Sequence, residues 1–404
     1  MSILKNILLI SLLTFPVLSF AKTTEITVWE DQHKSDGLKD AAKAFFDKTG
    51  IKVNFVELRY IYVQERLRLD GPAGHGPDLL LLPNDQLNEA VDQGMIDPIE
   101  LTDEEKSKYL PQTIKAFTYK DELYAVPKSI ETLALFYNKD SLYTPYETLD
   151  DYYNYSVAMR KLDRYGLVGS FANLYYGISV LEPYGAYLFG KDKNGDYDID
   201  DLGFDNKGAI EGIKAFKKFY ANNVLPSETA GLGGVQNSTD LFMKKKAAAF
   251  VGGTYDILLF KNAGLKFGVS ALPILPNGKR MSSFLGVRGF AVSHWTENYE
   301  EAVAFAKFVN EKEYSVKRYQ TSYEFPATKD ALADPRVAND EYAKAFIEQE
   351  KYTYLMPSFS VMSKVWSIME EALNRAYLTK GDTKKIMSNA MNKIRWETDS
   401  LNQR

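Results

Sequence analysis

A single carboxylate stands in an almost wholly apolar stretch of the chain. Glu131 follows Ile130 near the start of a run that ends at Tyr137. Pro127 fixes its own backbone and favours an extended conformation before it, so the sequence predicts a stiff approach to a buried strand. A carboxylate at the mouth of such a strand must be solvated, paired or presented to a ligand. Glu131 is therefore a candidate for binding chemistry, with a plain solvated strand end as the alternative.

Sequence patterns of common catalytic and metal sites are absent. The three histidines do not stand at the spacing of a metal site. Residues 177–181 miss the last glycine of a nucleophile elbow, and residues 231–234 lack the lysine of a phosphate loop. The acidic run from Asp192 lacks the glycine and glutamate of a calcium loop, so Asn194-Gly195 predicts a hairpin turn. No catalytic residue, metal site or cofactor is predicted.

Length and composition predict a large globular protein with more than one core. At 404 residues the chain exceeds one typical core, and its net charge of −5 offers no basic surface for nucleic acid. Aromatic residues make up 13% of the chain, with 27 Tyr and 23 Phe, which suits surfaces that meet polar ligands with apolar faces. Cysteine is absent, which excludes disulfides, thiolate metal sites and a lipid-anchored cysteine.

The first 21 residues have the pattern of a secretory signal peptide. Lys5 supplies the basic segment, an apolar segment follows, and Ser19 and Ala21 are the small residues before a cleavage site. A membrane anchor is the alternative, but the apolar run is short and Lys22 begins a strand-like segment. The sequence therefore predicts export, with cleavage after Ala21.

Strand and helix patterns alternate in the first part of the chain. Strands are predicted over residues 25–29 and 51–56, with a helix over 38–46 that Gly50 would close. Residues 77–82 are apolar on both faces, as in a central parallel strand. This alternation predicts an α/β fold with a doubly wound sheet. Helices predicted farther along cover residues 146–161, 207–222, 299–310, 361–378 and 382–400.

Several segments resemble, in the same order, the extracellular solute-binding proteins that serve ATP-driven sugar importers. They are KTGIKVNF, GHGPDLLLLPND, AVDQGMIDPI, ELYAVP and ETLALFYNKD, followed by SSFLGVRGFAVS and LMPSFSVMSKVW. The resemblance spans nearly all of the mature chain and is closest to maltose- and maltodextrin-binding proteins. It implies a periplasmic-binding-protein-like α/β fold, in which crossover hinge strands join two doubly wound lobes. Residues 22–129 and 286–330 would form the first lobe, and residues 130–285 and 331–404 the second.

The resemblance also implies a function and a set of ligand contacts. The implied protein is periplasmic, binds a maltose- or maltodextrin-type oligosaccharide between its closing lobes, and delivers it to an inner-membrane ABC transporter permease. A monomer without nucleic-acid partners, metal or cofactor is expected. The positions that match the family's ligand contacts are Trp29, Asp31, Lys34, Asp85, Glu131, Tyr175, Tyr176, Tyr255 and Trp366.

The chemistry of these nine positions suits a sugar. Asp31, Lys34 and Asp85 follow predicted strand ends, where open α/β sheets bind ligands, and would bond to hydroxyl groups. The aromatic side chains from the second lobe would pack on the CH faces of sugar rings. For each aromatic residue, packing in the core is the alternative.

The chain departs from the maltodextrin-binding pattern at two places. Where that pattern has Trp-Ala-His-Asp-Arg, residues 82–86 read Leu-Pro-Asn-Asp-Gln, which removes an aromatic ring and a cation. Where it has Glu-Pro-Tyr-Phe, residues 173–176 read Asn-Leu-Tyr-Tyr. These departures leave the implied fold intact and the identity of the sugar open.

Three other functions are weighed against sugar binding. A ferric-ion-binding protein of the same fold would use twin tyrosines, such as Tyr175-Tyr176 or Tyr152-Tyr153. A polyamine would suit aromatic rings combined with Glu131, Asp31 and Asp85. An exported glycosidase would need two carboxyl groups at a defined separation, which a sequence does not reveal.

Overall fold

The computed structural model describes residues 24–402, and the predicted signal peptide at residues 1–21 lies outside them. Within the described range the chain forms fifteen strands. They are β1 (Glu25–Asp31), β2 (Lys52–Leu58), β3 (Leu79–Pro83), β4 (Ile96–Asp97), β5 (Thr118–Tyr119), β6 (Glu122–Leu123), β7 (Ala125–Glu131), β8 (Leu133–Asn138), β9 (Gly190–Lys191), β10 (Tyr197–Asp198), β11 (Ala249–Gly253), β12 (Phe267–Ser270), β13 (Ser283–Ser293), β14 (Phe325–Pro326) and β15 (Thr353–Leu355).

The same residues form seventeen α-helices. They are α1 (Lys39–Thr49), α2 (Val63–Asp70), α3 (Leu87–Asp92), α4 (Asp103–Ser107), α5 (Pro111–Ala116), α6 (Leu149–Met159), α7 (Leu174–Leu181), α8 (Lys207–Ala221), α9 (Gly234–Met243), α10 (Asp256–Asn262), α11 (Tyr299–Phe308), α12 (Lys312–Ser322), α13 (Lys329–Leu332), α14 (Pro335–Ala338), α15 (Glu341–Glu350), α16 (Met362–Leu378) and α17 (Thr383–Asn402). Between residues 24 and 402, no helix combines the length and apolar character needed to cross a bilayer.

Eight strands form a large mixed sheet. Their order is β14-β7-β13-β3-β1-β2, and β4 and β15 pair with opposite ends of β13. β1 runs parallel to β2 and β3, whereas β13 runs antiparallel to β3 and β7. All residues of β3 are buried, as expected for a strand covered on both faces. Apolar side chains of α1, α3 and α11 complete its core, and we call this sheet with those helices the large-sheet unit.

A small sheet has three strands in the order β11-β8-β12. Along β8, Leu133 and Leu135 pack with α7, α8, α16 and α17, while Ala134 and Phe136 pack with α12 and α15. This alternation follows the two-residue period of a strand and buries both faces. We call the small sheet with these helices the small-sheet unit.

The small sheet differs in strand direction from the doubly wound sheet that the alternating pattern predicts. Both of its pairings are antiparallel. β8 arrives directly from the large sheet after Thr132 and lies between β11 and β12, so it runs opposite to both. The helix α10 connects β11 to β12 and leaves those two outer strands pointing the same way.

The chain first passes between the two units at Thr132 and returns at the start of β13, and it crosses again where β14 and β15 alternate with α12, α15 and α16. The Thr132 hydroxyl donates to the Phe284 carbonyl oxygen at 2.9 Å, and its oxygen lies 2.6 Å from that of Ser283. The boundary predicted between residues 129 and 130 falls inside β7, and the single strand predicted over residues 130–137 is divided at Thr132 between two sheets. Pro127 lies beside a bulge in β7, where the pairing with β13 shifts, which accommodates a residue without an N–H.

Several local predictions are confirmed. Gly50 adopts φ 74° and its N–H bonds to the Phe46 carbonyl, which closes α1 as predicted. Gly195 has φ 83° in the predicted hairpin turn between β9 and β10. The helix α12 falls inside the range predicted for the first lobe, yet its Val316 and Tyr319 pack against the small-sheet unit.

Candidate functional site

A charged pair lies where β7 and β13 run side by side between the two units. Arg288 of β13 donates from Nε to Glu131 Oε2 at 2.9 Å and from Nη2 to Glu131 Oε1 at 3.3 Å. The two side chains are only 12% and 16% exposed. Such a bidentate pair holds both planar groups in a fixed orientation. The carboxylate of Glu131 is thus paired with a cation rather than left in solvent.

The guanidinium of Arg288 makes further contacts across the site. Its Nη1 lies 3.9 Å from Asp31 Oδ2, and its central carbon lies 4.3 Å from the ring centroid of Tyr60. Although burial by itself lowers the pKa of Arg288, the charges of Glu131 and Asp31 raise it overall. Nη1 is buried and has no hydrogen-bond partner within the described part of the chain. Arg288 therefore keeps one donor for another molecule.

A second contact joins the two units through Asp85 and Trp366. The indole Nε1 of Trp366, on α16, donates to Asp85 Oδ2 at 2.9 Å. Burial raises the pKa of Asp85 to about 6, although this hydrogen bond and the charge of Arg288 act in the opposite direction. Next to it, the buried Asn84 accepts from Val287 N at 3.0 Å and donates to the Met356 carbonyl at 2.8 Å. The end of β3 is thus fixed against both β13 and the segment after β15.

Three tyrosines of the small-sheet unit form an aromatic wall. The hydroxyl oxygens of Tyr176 and Tyr255 lie 2.9 Å apart, and the rings of Tyr175 and Tyr176 lie 5.7 Å apart. The Tyr175 hydroxyl is buried without a partner among residues 24–402. Burial raises the pKa of all three hydroxyls above the usual value of a tyrosine. They are therefore suited to hydrogen bonding as neutral phenols.

The space among these side chains is small. A pocket of about 30 Å³ is lined by Asp31, Lys34, Glu131, Tyr255 and Arg288 together with neighbouring residues. Lys34 donates from Nζ to the Ser322 carbonyl at 3.3 Å. A pocket of this size holds little more than one or two water molecules. A sugar ring can enter only if the two units move apart.

A second charged cluster lies beside this site and is fully buried. Lys128 of β7 bonds from Nζ to Glu30 Oε2 at 2.8 Å and to Glu324 Oε1 at 2.9 Å. The other carboxylate oxygens accept from the Asp31 backbone N–H and the Ser322 hydroxyl, each at 2.9 Å. All carboxylate oxygens of this cluster are therefore paired within the protein.

The structure brings eight of the nine predicted site residues together and places one elsewhere. Asp31, Lys34, Asp85, Glu131, Tyr175, Tyr176, Tyr255 and Trp366 take part in the contacts described above. Trp29 is only 3% exposed and packs in the core of the large sheet. The Trp29 ring packs with the apolar side chains that the helices α1, α3 and α11 contribute to this core, so it is not one of the cleft side chains. The alternative of core packing thus describes Trp29.

The sequence analysis missed Arg288 and Tyr60. Arg288 is the single charge within β13, an otherwise apolar strand of eleven residues. Glu131 was predicted as a site residue because it is a lone charge in an apolar run, and Arg288 has the same feature. Tyr60 gave no comparable signal, because it lies in a short turn of 3-10 helix over Tyr60–Tyr62.

A family model and several known proteins match the chain. Residues 40–345 match the model described as "Bacterial extracellular solute-binding protein". The "Galactooligosaccharide-binding protein" of Bacillus subtilis is 38% identical, over 92% of this chain and 89% of that relative. A "Maltooligosaccharide ABC transporter solute-binding lipoprotein" of Streptococcus pneumoniae is 28% identical, over 93% of this chain and 89% of that relative.

Solved structures share the fold. A cyclo/maltodextrin-binding protein in complex with maltotetraose superimposes with a TM-score of 0.82 at 30% identity, over 94% of this chain and 98% of that one. MalX from Streptococcus pneumoniae, in complex with maltopentaose, gives a TM-score of 0.84 at 28% identity, over 92% of this chain and 99% of that one. These likenesses confirm the predicted periplasmic-binding-protein-like fold.

Proposed function

Because this chain belongs to the family of bacterial extracellular solute-binding proteins, we propose that it is the oligosaccharide-binding component of an ABC importer. The sugar binds in the cleft between the large-sheet and small-sheet units, which act as the two lobes. The loaded protein then docks on a membrane permease. It acts as a monomer in the periplasm, after export directed by residues 1–21. Both the family and the relatives described above are binding proteins rather than enzymes.

One observation carries the binding proposal. The Tyr175 hydroxyl and Arg288 Nη1 are buried at the cleft without partners among the described residues. Buried polar atoms are nearly always hydrogen-bonded, so two unpaired groups in one cleft indicate a ligand that supplies the missing partners. A sugar offers hydroxyl groups for both atoms and CH faces for the rings of Tyr175 and Trp366. A polyamine has only donors at its charged groups and could not satisfy Nη1 of Arg288.

Galactooligosaccharides are the favoured ligand and maltooligosaccharides the second candidate. The galactooligosaccharide-binding relative is 38% identical to this chain, whereas the maltooligosaccharide-binding one is 28% identical. Residues 82–86 also lack the aromatic ring and the cation of the maltodextrin-binding pattern. The cation of this site comes instead from Arg288, on a different strand.

Binding requires the cleft to open and close. The pocket of about 30 Å³ excludes a sugar until the two units separate. The connections at Thr132 and at the start of β13 let each unit move as a body. Contacts from Glu131 and Arg288 on one side and Trp366 on the other then stabilise the closed form with sugar bound.

Titration calorimetry with β-1,4-galactotriose and with maltotriose tests this function. We expect the protein to bind one equivalent of galactotriose, and to bind maltotriose more weakly. Trp366→Ala should lower the affinity by more than about tenfold, or about 1.4 kcal/mol, because the ring provides both an apolar face and the indole N–H that orients Asp85. Trp396→Ala is the matched control, since Trp396 lies exposed on α17. Folded wild-type protein that binds neither trisaccharide would contradict the proposal.

A further inference from the structure

We propose that the protein carries a second carbohydrate-binding site, separate from the cleft. A pocket of about 930 Å³ is lined by residues from three segments, 182–201, 274–284 and 352–357. Its size falls in the range of roughly 300–1,000 Å³ that is typical of small-molecule sites. No residue of β1 to β8 lines it. Phe284 of β13 and Thr353 and Tyr354 of β15 form the side of the pocket that borders the large sheet.

Two buried hydroxyl groups at this pocket have no partner in the described part of the chain. Ser282 lines the pocket and is only 5% exposed, and its Oγ lacks a hydrogen bond. The Oη of Tyr354, another lining residue, is also buried and unpaired. Burial, followed by the charges of Glu182 and Tyr197, raises the pKa of Tyr354. Each hydroxyl can both donate and accept, and a sugar hydroxyl pairs with it once the lining side chains shift to expose the buried oxygen.

Aromatic rings and paired charges surround these hydroxyls. Four further aromatic side chains line the pocket: Tyr187, Phe189, Tyr197 and Tyr352. The Tyr187 hydroxyl donates to Asp201 at 2.9 Å, and the guanidinium of Arg280 lies 5.6 Å from the Tyr352 ring. Charges of both signs line the rim, namely Lys191, Lys279, Arg280, Glu182 and Asp201. This mixture favours a neutral ligand with apolar faces and several hydroxyls over an anion or a cation.

Phe284 separates this pocket from the cleft. Its ring lies 6.2 Å from the rings of Tyr175 and of Trp366, which belong to the cleft, and 5.1 Å from the ring of Tyr354, which belongs to the pocket. Phe284 is 1% exposed, so it closes the passage between the two spaces. A sugar in the pocket is therefore a second molecule and not the end of one bound in the cleft.

Equilibrium dialysis with radiolabelled β-1,4-galactobiose and maltose, up to millimolar concentration, tests the proposal. We expect wild-type protein to take up a second, weaker equivalent of at least one of these disaccharides. The double variant Ser282→Ala/Tyr354→Phe should weaken that equivalent by about tenfold, because it removes two hydrogen-bonding groups, while leaving the first equivalent unchanged. Its melting temperature should not fall, because both hydroxyls lack partners within the protein.

Trp366→Ala separates this proposal from the function of the cleft. It should weaken the first equivalent and leave the second in place, so a failure of cleft binding still allows the pocket to be measured. Saturation of wild-type protein at one equivalent with both disaccharides would overturn the proposal. Unchanged uptake by the double variant, or a marked drop in its melting temperature, would also overturn it, since the hydroxyls would then be irrelevant or structural.

Discussion

Two charged clusters share β7, and they differ in how completely their polar atoms are paired. Lys128 and its partners Glu30 and Glu324 are buried, and every carboxylate oxygen accepts a hydrogen bond from the protein. Three residues farther along β7, Glu131 is bonded to Arg288, which keeps an unpaired buried N–H. The first cluster is complete without a ligand and the second is not. Completeness of pairing thus distinguishes a structural ion cluster from a binding site within a single strand.

The surroundings of the two clusters explain this difference. Lys128 lies beneath α12, where the fully buried Arg318 donates to the Lys128 carbonyl at 2.7 Å. Burial raises the pKa of Glu30, whereas the charges of Lys128, Lys34 and Arg318 overcome the effect of burial and lower the pKa of Glu324. Glu131 and Arg288 both line the pocket of about 30 Å³ between the units, whereas of the first cluster only Glu324 reaches it and Lys128 and Glu30 do not. A change in the first cluster should affect folding, and a change in the second should affect binding.

The largest effect is expected from Lys128→Met. The substitution leaves Glu30 and Glu324 buried without their cation, which should lower the free energy of unfolding by about 3–5 kcal/mol. Urea denaturation followed by circular dichroism measures this loss. Lys115→Met is the matched control, because Lys115 pairs with Asp196 at the surface and should leave stability nearly unchanged. If Lys128→Met and Lys115→Met are equally stable, the Lys128 cluster does not stabilise the fold.

A smaller effect, on binding rather than folding, is expected from Glu131→Gln. The amide cannot supply two charged acceptors, so Arg288 loses its fixed orientation and the sugar loses a charge-assisted contact. We expect β-1,4-galactotriose affinity measured by calorimetry to fall by about 1.5–3 kcal/mol. Glu30→Gln is the comparison, because Glu30 is fully buried against Lys128 and does not line the pocket, and it should lower stability more than affinity. If Glu131→Gln instead lowers the melting temperature and spares affinity, Glu131 is a structural strand-end residue.

The smallest effect concerns pH and Asp85. Burial holds the folded-state pKa of Asp85 at about 6, above its usual 3.8, so the folded protein binds more protons between these values. The ionised carboxylate therefore lowers stability as pH rises through this window. Asp85→Asn keeps an acceptor for Trp366 and removes the charge. The free energy of unfolding of this variant should exceed that of the wild type by on the order of 1 kcal/mol at about pH 7.5, after allowance for solvent screening. Below about pH 4 the two should be equal.

Urea denaturation at the two pH values measures this difference. If the stability gained by Asp85→Asn depends on pH, the ionised Asp85 carboxylate is not fully stabilised by its neighbours. That result would sharpen the contrast with the carboxylates paired to Lys128. An equal gain at both pH values would mean that the Asp85 charge carries no cost in the folded protein.

Most elements could be predicted because their signals are local. The helices α8 and α16 begin and end within one residue of the predicted ranges, since their apolar periodicity is strong. The helix predicted over residues 146–161 begins instead at Leu149 and passes into a 3-10 turn after Met159, because ends of elements carry weak signals. The antiparallel small sheet could not be predicted, because strand direction depends on which distant strands meet.

Site residues could be predicted from the sequence where a charge interrupts an apolar strand. The prediction failed where the position of a side chain depends on neighbouring elements of the fold. Glu131 was selected on that rule, and the same rule applied to β13 would have selected Arg288. The resemblance assigned Trp29 to the ligand, but its burial depends on the helices that pack on the large sheet, which no local pattern reveals. The second pocket brings together three distant segments and left no local signal.

The position of β13 has a consequence for how the chain folds. This strand lies between β3 and β7, yet it is made long after both, so the large sheet remains open along its middle until residue 293 has been synthesised. Joining strands so distant in the chain carries a large loop-closure cost and is slow. The amino-terminal strands cannot complete their core before β13 has been made, so about the first three-quarters of the chain must be synthesised before the large sheet closes.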